Sequence, residues 1–100
     1  MWRMDRAWEK LGREVPEVKR PPSEYIRQHC WFTTQPMEEP SQNKFFHQMM
    51  DAINMPDRIM FATDYPHWDF DAPDLAFPVR LDKELHHAIM AGNAQRLYKL

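Results

Sequence analysis

The residues with the clearest capacity for chemistry share one loop, and they are Asp64, His67, Asp69 and Asp71. The loop follows Ile59–Ala62, an uncharged apolar run that is typical of a strand buried on both faces. Pro66 has no amide N–H, so the strand cannot continue through it and Asp64 is expected at its carboxyl end. In α/β folds, ligands bind at that edge of the sheet.

Asp64 has the residue type and the position of a metal ligand. A carboxylate fixed at a strand end can bind a divalent cation, and zinc accepts aspartate oxygen together with histidine nitrogen. Zinc lowers the pKa of its bound water to about 7, and the same aspartate can take that proton as a general base. The alternative is that Asp64 only forms a turn, which the sequence Asp-Tyr-Pro also favours.

The other polar residues of the loop have two interpretations each. His67 is either a second ligand or substrate contact, or a histidine that packs against Trp68 or bonds to the loop backbone. Asp69 and Asp71 could join a site for a hard cation. They lack the glycine and the regular spacing of a calcium loop, so we interpret them as solvated carboxylates.

A βαβ unit is expected to position this loop. Tyr25–Thr33 is rich in strand-favouring residues and predicts the first strand. The pattern of Asn43–Ile53 predicts an amphipathic helix capped by Ser41, and Arg58–Thr63 predicts the second strand. Because the connection is one helix with short loops, the strands should be parallel and the crossover right-handed.

Helices are expected to flank this unit. The spacing of apolar residues predicts a helix over Met4–Leu11. Near the end of the chain, Asp82 can cap a helix over Lys83–Met90. Gly92 should end that helix, and Asn93 should cap a last short helix.

This organisation predicts one partial domain that spans residues 1–100. A parallel sheet is normally covered on both faces, and two strands are too few for independent stability. Each strand should also leave one hydrogen-bonding edge unpaired. We therefore expect the chain to be a piece of a larger barrel, with Met1 an internal methionine of a longer reading frame.

Three stretches carry a resemblance to a known family. They are RPPSEYIRQHCWFTTQPMEEP, RIMFATDYPHWDFD and GNAQRLYKL. Together they resemble the last third of the amidohydrolase-2 family, the amidohydrolase-related metal-dependent hydrolases and decarboxylases. The resemblance implies an α/β fold, the C-terminal piece of a TIM-type (β/α)8 barrel, with two parallel strands and about four helices here.

The resemblance also implies a site and a reaction. Asp64 matches the family's metal-ligating aspartate after the last barrel strand. The implied cofactor is a divalent metal, and zinc is the metal expected. The family's His-x-His pair has no counterpart in this chain. His86 and His87 are adjacent on a helix, point about 100° apart and cannot share a metal, so we interpret them as surface residues. The chain alone is therefore expected to be inactive and to bind no metal tightly.

The leading functional hypothesis is a fragment of a metal-dependent hydrolase that acts on a small carboxylic or cyclic substrate. The family resemblance equally allows a decarboxylase of a small, often aromatic-derived carboxylic acid. Thr33 and Trp31 end the first strand with Thr34 and could line one substrate pocket with His67. For Trp31, structural packing is the alternative.

A hypothesis of a different class is a non-catalytic interaction module. Its partner surface would be an apolar helix face, through which the chain could also self-associate, formed by Phe45, Phe46, Met49 and Met50. Eight methionines would suit such an adaptable contact.

Composition excludes several other classes of protein. The net charge of −2 gives no electrostatic basis for binding nucleic acid or an anionic membrane. No apolar run approaches the roughly 20 residues that span a bilayer. The single cysteine, Cys30, excludes an intrachain disulfide and fits a reducing compartment, so we expect a cytoplasmic protein. We interpret Cys30 as a small packing residue and not as a catalytic thiol.

Overall fold

The computed structural model describes residues 1–100, which fold into two compact units, Met1–Trp31 and Phe32–Leu100. The first unit contains helix α1 (Trp2–Leu11), a 3-10 turn (Gly12–Glu14) and helix α2 (Pro22–His29). The second unit contains strand β1 (Phe32–Thr33), helix α3 (Asn43–Ile53), strand β2 (Ile59–Met60), helix α4 (Lys83–His87), a π-helical segment (Ala88–Gly92) and helix α5 (Asn93–Tyr98). The predicted α/β class is confirmed. No helix has the length and apolar character required to cross a membrane.

Helix α2 corrects the prediction of a strand over Tyr25–Thr33, of which only Phe32–Thr33 is strand. Pro22 occupies the first turn of this helix, where its fixed φ suits helical geometry and its missing N–H costs nothing. Glu24, Arg27 and Gln28 are unbranched helix formers. Local helix initiation therefore outweighs the strand preference of the aromatic and β-branched residues beside them.

The N-terminus of α2 is capped by a residue of another helix. Pro21 precedes the helix and provides no side-chain cap. Instead, Asp5 of α1 accepts a hydrogen bond at Oδ1 from the backbone N–H of Ser23, at 2.8 Å. A carboxylate at this position satisfies one free donor and complements the helix dipole. Hydrogen bonds from the Ser23 side chain and then from its backbone hold the pKa of Asp5 below its ordinary value of 3.8.

The Asp5 contact makes the first unit sensitive to acid. A depressed carboxyl pKa in the folded state adds stability above the unfolded value of 3.8, and this contribution is lost as pH falls through the folded pKa. We expect Asp5→Asn to reduce the loss of thermal stability between pH 5 and pH 3, and to remove the titration of the Ser23 amide resonance. Glu9→Gln, on the exposed side of α1, is the control. If Asp5→Asn and Glu9→Gln have the same acid profile, the cap does not act as described.

The two strands are parallel, as the sequence predicts, with Phe32 opposite Ile59 and Thr33 opposite Met60. The Phe32 N–H donates to the carbonyl of Arg58 at 2.8 Å. The Thr34 N–H donates to the carbonyl of Met60 at 2.9 Å. The second strand is shorter than the predicted Arg58–Thr63, because beyond Met60 the backbone N–H groups of Phe61 and Ala62 donate to the Ile89 carbonyl and the Thr34 side chain and not to the backbone of β1.

Helix α3 connects the strands and has the predicted bounds, Asn43–Ile53. The predicted Ser41 cap is wrong, since Gln42 precedes the helix and no side chain caps it. Phe46 is fully buried and forms the core of the unit with Leu81 and Ile89. Phe46 therefore cannot belong to a partner surface, which corrects that part of the interaction-module hypothesis.

The C-terminal helical segment starts as predicted and then departs from the prediction. Asp82 caps α4 by accepting from the Leu85 N–H at 2.9 Å. Gly92 does not end the segment, because it keeps a right-handed helical φ of −59° and leads directly into α5. Asn93 does not cap α5 with its side chain. Its amide is buried and donates to the carbonyls of Pro56 at 2.8 Å and Ile59 at 2.7 Å.

The same segment covers one edge of β2. Ile59 and Phe61 present their backbone groups on the side of the strand that faces away from β1. The Ile59 carbonyl accepts from Asn93, and the Phe61 N–H donates to the carbonyl of Ile89 in the π-helical segment at 2.9 Å. The prediction that both strands leave an unpaired edge is therefore wrong for β2.

Candidate metal centre

Three potential metal ligands meet in the loop after β2. One ligand atom each from Asp64, His67 and Asp69 lies within 4.8 Å of the others. Asp64 Oδ2 is 2.9 Å from His67 Nδ1. The three side chains lie at the surface or half-buried, so a cation and its remaining ligands can approach them.

The backbone of residues 63–71, hereafter the ligand loop, closes on itself. The His67 N–H donates to the Asp64 carbonyl at 2.9 Å, which forms a turn over the first ligands. The Asp71 N–H donates to the Thr63 carbonyl at 3.0 Å and joins the two ends. The rings of Tyr65 and Phe70 meet edge to face, with their centroids 5.6 Å apart. The ligand loop is therefore held in one conformation by its own hydrogen bonds and ring contact.

Asp64 has a backbone conformation that few residue types tolerate. Its φ is 58°, in the left-handed region. Aspartate and asparagine enter this region more readily than other non-glycine residues because their short polar side chains bond locally. The Asp64 side chain does so through His67. Non-glycine residues in this region cluster at functional sites.

The electrostatic field at the ligand loop favours a cation. Residues 63–79 contain four carboxylates and no lysine or arginine, and the carboxylates are Asp64, Asp69, Asp71 and Asp74. Two carboxylate oxygens and one imidazole nitrogen form a donor set that suits zinc and related divalent ions. Three protein ligands with an open position are typical of catalytic sites. The residues therefore fit the metal that the sequence implies.

Two consecutive residues after β1 bond to Ala62, which precedes the ligand loop, and to the ligand loop itself. Thr34 is buried, and its Oγ1 accepts from the Ala62 N–H at 3.1 Å and donates to the Ala62 carbonyl at 3.4 Å. Gln35 Nε2 donates to the Asp69 carbonyl at 2.9 Å. The carboxyl ends of the two parallel strands therefore meet at one edge of the sheet, as expected for this topology.

The structure brings some of the sequence-derived candidates together. Asp64 and His67 are hydrogen-bonded, and Trp68 is 94 % exposed, so the alternative in which His67 packs against Trp68 is not observed. Asp69 is exposed, as the interpretation of a solvated carboxylate expects, and it also lies beside both. Its place in the cluster is encoded by the Asp-x-x-His-x-Asp spacing inside a closed loop.

The other candidates lie elsewhere. Thr33 Oγ1 donates to the Gln35 carbonyl at 3.1 Å, and Thr33 lines an apolar cavity of about 320 Å³ together with residues of α3. Asp64 and His67 do not line that cavity. Trp31 is half-buried and ends the first unit, and its substrate contact stays a prediction. His86 and His87 are exposed, as predicted, and Cys30 is half-buried.

Sequence reasoning missed Gln35. The residue follows a strand that runs parallel to β2, and that position was the available signal. Side chains after the carboxyl ends of adjacent parallel strands meet at one edge, so Gln35 could have been placed beside the ligand loop.

Comparison with known proteins gives two findings. The family model described as amidohydrolase matches residues 1–100. Gamma-resorcylate decarboxylase of Polaromonas sp. (strain JS666 / ATCC BAA-500) is 34% identical over 105 aligned residues, which cover 100% of this chain and 30% of that protein. The chain therefore spans less than a third of the length of this curated relative.

Proposed function

The chain belongs to the amidohydrolase family, and we propose that it supplies Asp64 to a divalent metal centre in a larger enzyme built on a TIM-type barrel. The observation that carries this proposal is the convergence of Asp64, His67 and Asp69 at the carboxyl end of β2. In α/β barrels the residues that follow strand ends form the active site.

The remaining metal ligands would come from segments outside this chain. Asp64 is one-third exposed and His67 is 69 % exposed, so other groups have room to approach the same point. Each additional ligand raises affinity, and this chain alone is expected to hold a cation only weakly. The bound metal, zinc first, would supply a Lewis acid that polarises a substrate oxygen or lowers the pKa of a water to about 7.

The protein's own residues would move the proton. Asp64 Oδ2 is held by His67, which leaves Oδ1 free of that contact and available to accept or return a proton. In decarboxylation the carbon–carboxylate bond breaks, carbon dioxide leaves, and the carbon that keeps the electron pair takes the proton from Asp64. In hydrolysis the same oxygen would accept the proton of the attacking water.

Decarboxylation of a small aromatic carboxylic acid is the reaction that we propose. The similarity to gamma-resorcylate decarboxylase supports this choice. Hydrolysis of a C–O or C–N bond is the second candidate, and the description of the matching family model favours it. Both reactions would use the same Asp64 oxygen, which gives a proton to carbon in decarboxylation and accepts one from water in hydrolysis, so the residues of this chain serve either.

The test is an assay of the whole enzyme that contains this chain, with gamma-resorcylate in one arm and an ester and an amide of the same acid in the other. We expect carbon dioxide release that stops after treatment with a chelator and returns with zinc. Hydrolysis of the ester or amide without carbon dioxide release would replace the decarboxylase proposal with the hydrolase. Turnover that is insensitive to chelation would contradict the metal centre itself.

A further inference from the structure

We infer that Gln35 is a positioning residue that holds the ligand loop in its cation-binding geometry, an inference that rests on the proposed function. Gln35 follows β1 and does not itself belong to the cluster of ligands. Its side chain reaches the ligand loop at Asp69, one of the three residues of the cluster.

Both ends of the Gln35 amide are fixed by the backbone. Its Oε1 accepts from the Met37 N–H at 2.9 Å, which leaves the Nε2 group as the donor to the Asp69 carbonyl, also at 2.9 Å. The Met37 N–H can only donate, so it bonds to the amide oxygen and fixes the orientation of the amide. Gln35 is half-buried, and its bond with the Met37 N–H is partly shielded from water, whereas its bond to the Asp69 carbonyl lies at the exposed surface.

The contact lies in the part of the ligand loop that is far in sequence from β2. At its start, the chain is held by the buried Thr34, which bonds both backbone groups of Ala62. Asp69 lies seven residues further on and has an exposed side chain. Gln35 thus fixes the far part of the loop relative to β1, while Thr34 fixes the near part. Two consecutive residues of one strand end hold both sides of the segment that carries the ligands.

The expected consequence is on metal affinity more than on folding. Groups that orient metal ligands without touching the metal typically account for about 10–100-fold in metal affinity. Loss of the Gln35 amide leaves the Asp69 carbonyl without its donor at the exposed surface and the Met37 N–H without its acceptor. Water can reach the exposed carbonyl, so the effect on global stability should be small. If the role of Gln35 were purely structural, its replacement would lower global stability more than it weakens metal affinity.

The test compares Gln35→Met with Gln48→Met, a matched change at an exposed glutamine of α3. Manganese chloride alone is the probe, and its dissociation constant is obtained from paramagnetic broadening of the His67 and Asp64 resonances at millimolar metal. Amide hydrogen exchange of His67 and Asp71, measured without metal, reports the ligand loop itself. We expect Gln35→Met to weaken manganese binding about tenfold and to speed the exchange of these two amides severalfold, with Gln48→Met unchanged in both.

Each outcome decides one part of the inference. Unchanged exchange in Gln35→Met overturns the positioning role, whatever the metal data show. Faster exchange with manganese affinity equal to that of the wild type shows that Gln35 orders the loop but does not position ligands, which also overturns the inference. If manganese does not broaden the Asp64 and His67 resonances of the wild-type chain, the proposed metal centre is wrong, and Gln35 then has no role toward a cation.

Discussion

Under the proposed function, Asp64→Asn is expected to lower turnover of the whole enzyme by roughly 10²–10⁴-fold, the range for removal of a positioned general acid or base. The amide keeps the size of the carboxylate but loses its charge and its capacity to hold a proton. It would also replace the proposed anionic metal ligand with a weak neutral one, so metal content after dialysis should fall together with turnover. The measurements are the steady-state rate with the proposed substrate and the metal-to-protein ratio.

Asparagine is the informative replacement because of the backbone at this position. The φ of 58° is tolerated by asparagine nearly as well as by aspartate. Alanine would add roughly 1–2 kcal/mol of left-handed strain and confuse a chemical effect with a folding effect. Unfolding curves should therefore show Asp64→Asn close to the wild type.

A matched control for Asp64→Asn is Asp74→Asn, which removes the same charge from a residue outside the cluster. It should leave turnover and metal content nearly unchanged. Full metal content and wild-type turnover in Asp64→Asn would show that the carboxylate has no role at the centre. Equal losses in the two variants would instead indicate a general effect of loop charge.

Elements with a strong local pattern could be predicted from the sequence. The apolar stripe of α3 and the side chain of Asp82 each act within one or two turns of helix, so their signals survive in the folded protein. The pair of parallel strands followed from the order strand, helix, strand. The position of Asp64 followed from the charge change at the end of an apolar run.

Elements decided by distant contacts could not be predicted. The helix over Pro22–His29 is completed by Asp5, seventeen residues before its start, and no local pattern contains that contact. Gly92 and Asn93 have the residue types of a helix end and a helix start. The burial of Asn93 against the backbone of Pro56 and of Ile59 in β2 overrides both signals.

The ligand cluster likewise contains contacts that follow from local sequence and contacts that depend on distant residues. The proximity of Asp64 and His67 could be predicted from their spacing, because both lie in one turn. The contribution of Asp69 depends on the closure of the ligand loop by the Asp71 and Thr63 backbone, which no composition rule describes. The contact from Gln35 crosses 34 positions of sequence and exists only because the two strands end at the same edge.

Asn93→Leu is expected to destabilise the second unit by roughly 1–3 kcal/mol, because it removes the buried donor from two carbonyl oxygens, those of Pro56 and the half-buried Ile59. Asn93 is 1% exposed, and its Nδ2 donates to Pro56 and Ile59 at 2.8 and 2.7 Å. Its Oδ1 accepts a hydrogen bond from Arg96, which fixes the orientation of the amide. Leucine has a similar volume, so the loss reports hydrogen bonding and not a cavity.

The loss would be large against the total stability of the unit. At about 0.05–0.15 kcal/mol per residue, a unit of this size is stabilised by roughly 3–10 kcal/mol. Asn93→Leu also releases the Ile59 carbonyl at the edge of β2, so the strand that leads to Asp64 loses part of its support. Amide exchange at Phe61, whose N–H bonds to Ile89 of the same helical segment, should therefore increase with the global change.

Urea unfolding followed by far-ultraviolet circular dichroism measures the effect, with Gln95→Leu as the matched control on the same helix. Gln95 has an exposed side chain, so the same amide-to-leucine change there should shift the midpoint little. If Asn93→Leu unfolds at the same urea concentration as Gln95→Leu, the buried amide is not what fastens the C-terminal helix to β2. If it unfolds much earlier and Asn93→Asp does so too, the two donated hydrogen bonds are the cause, because aspartate keeps the shape and the Arg96 contact but cannot donate.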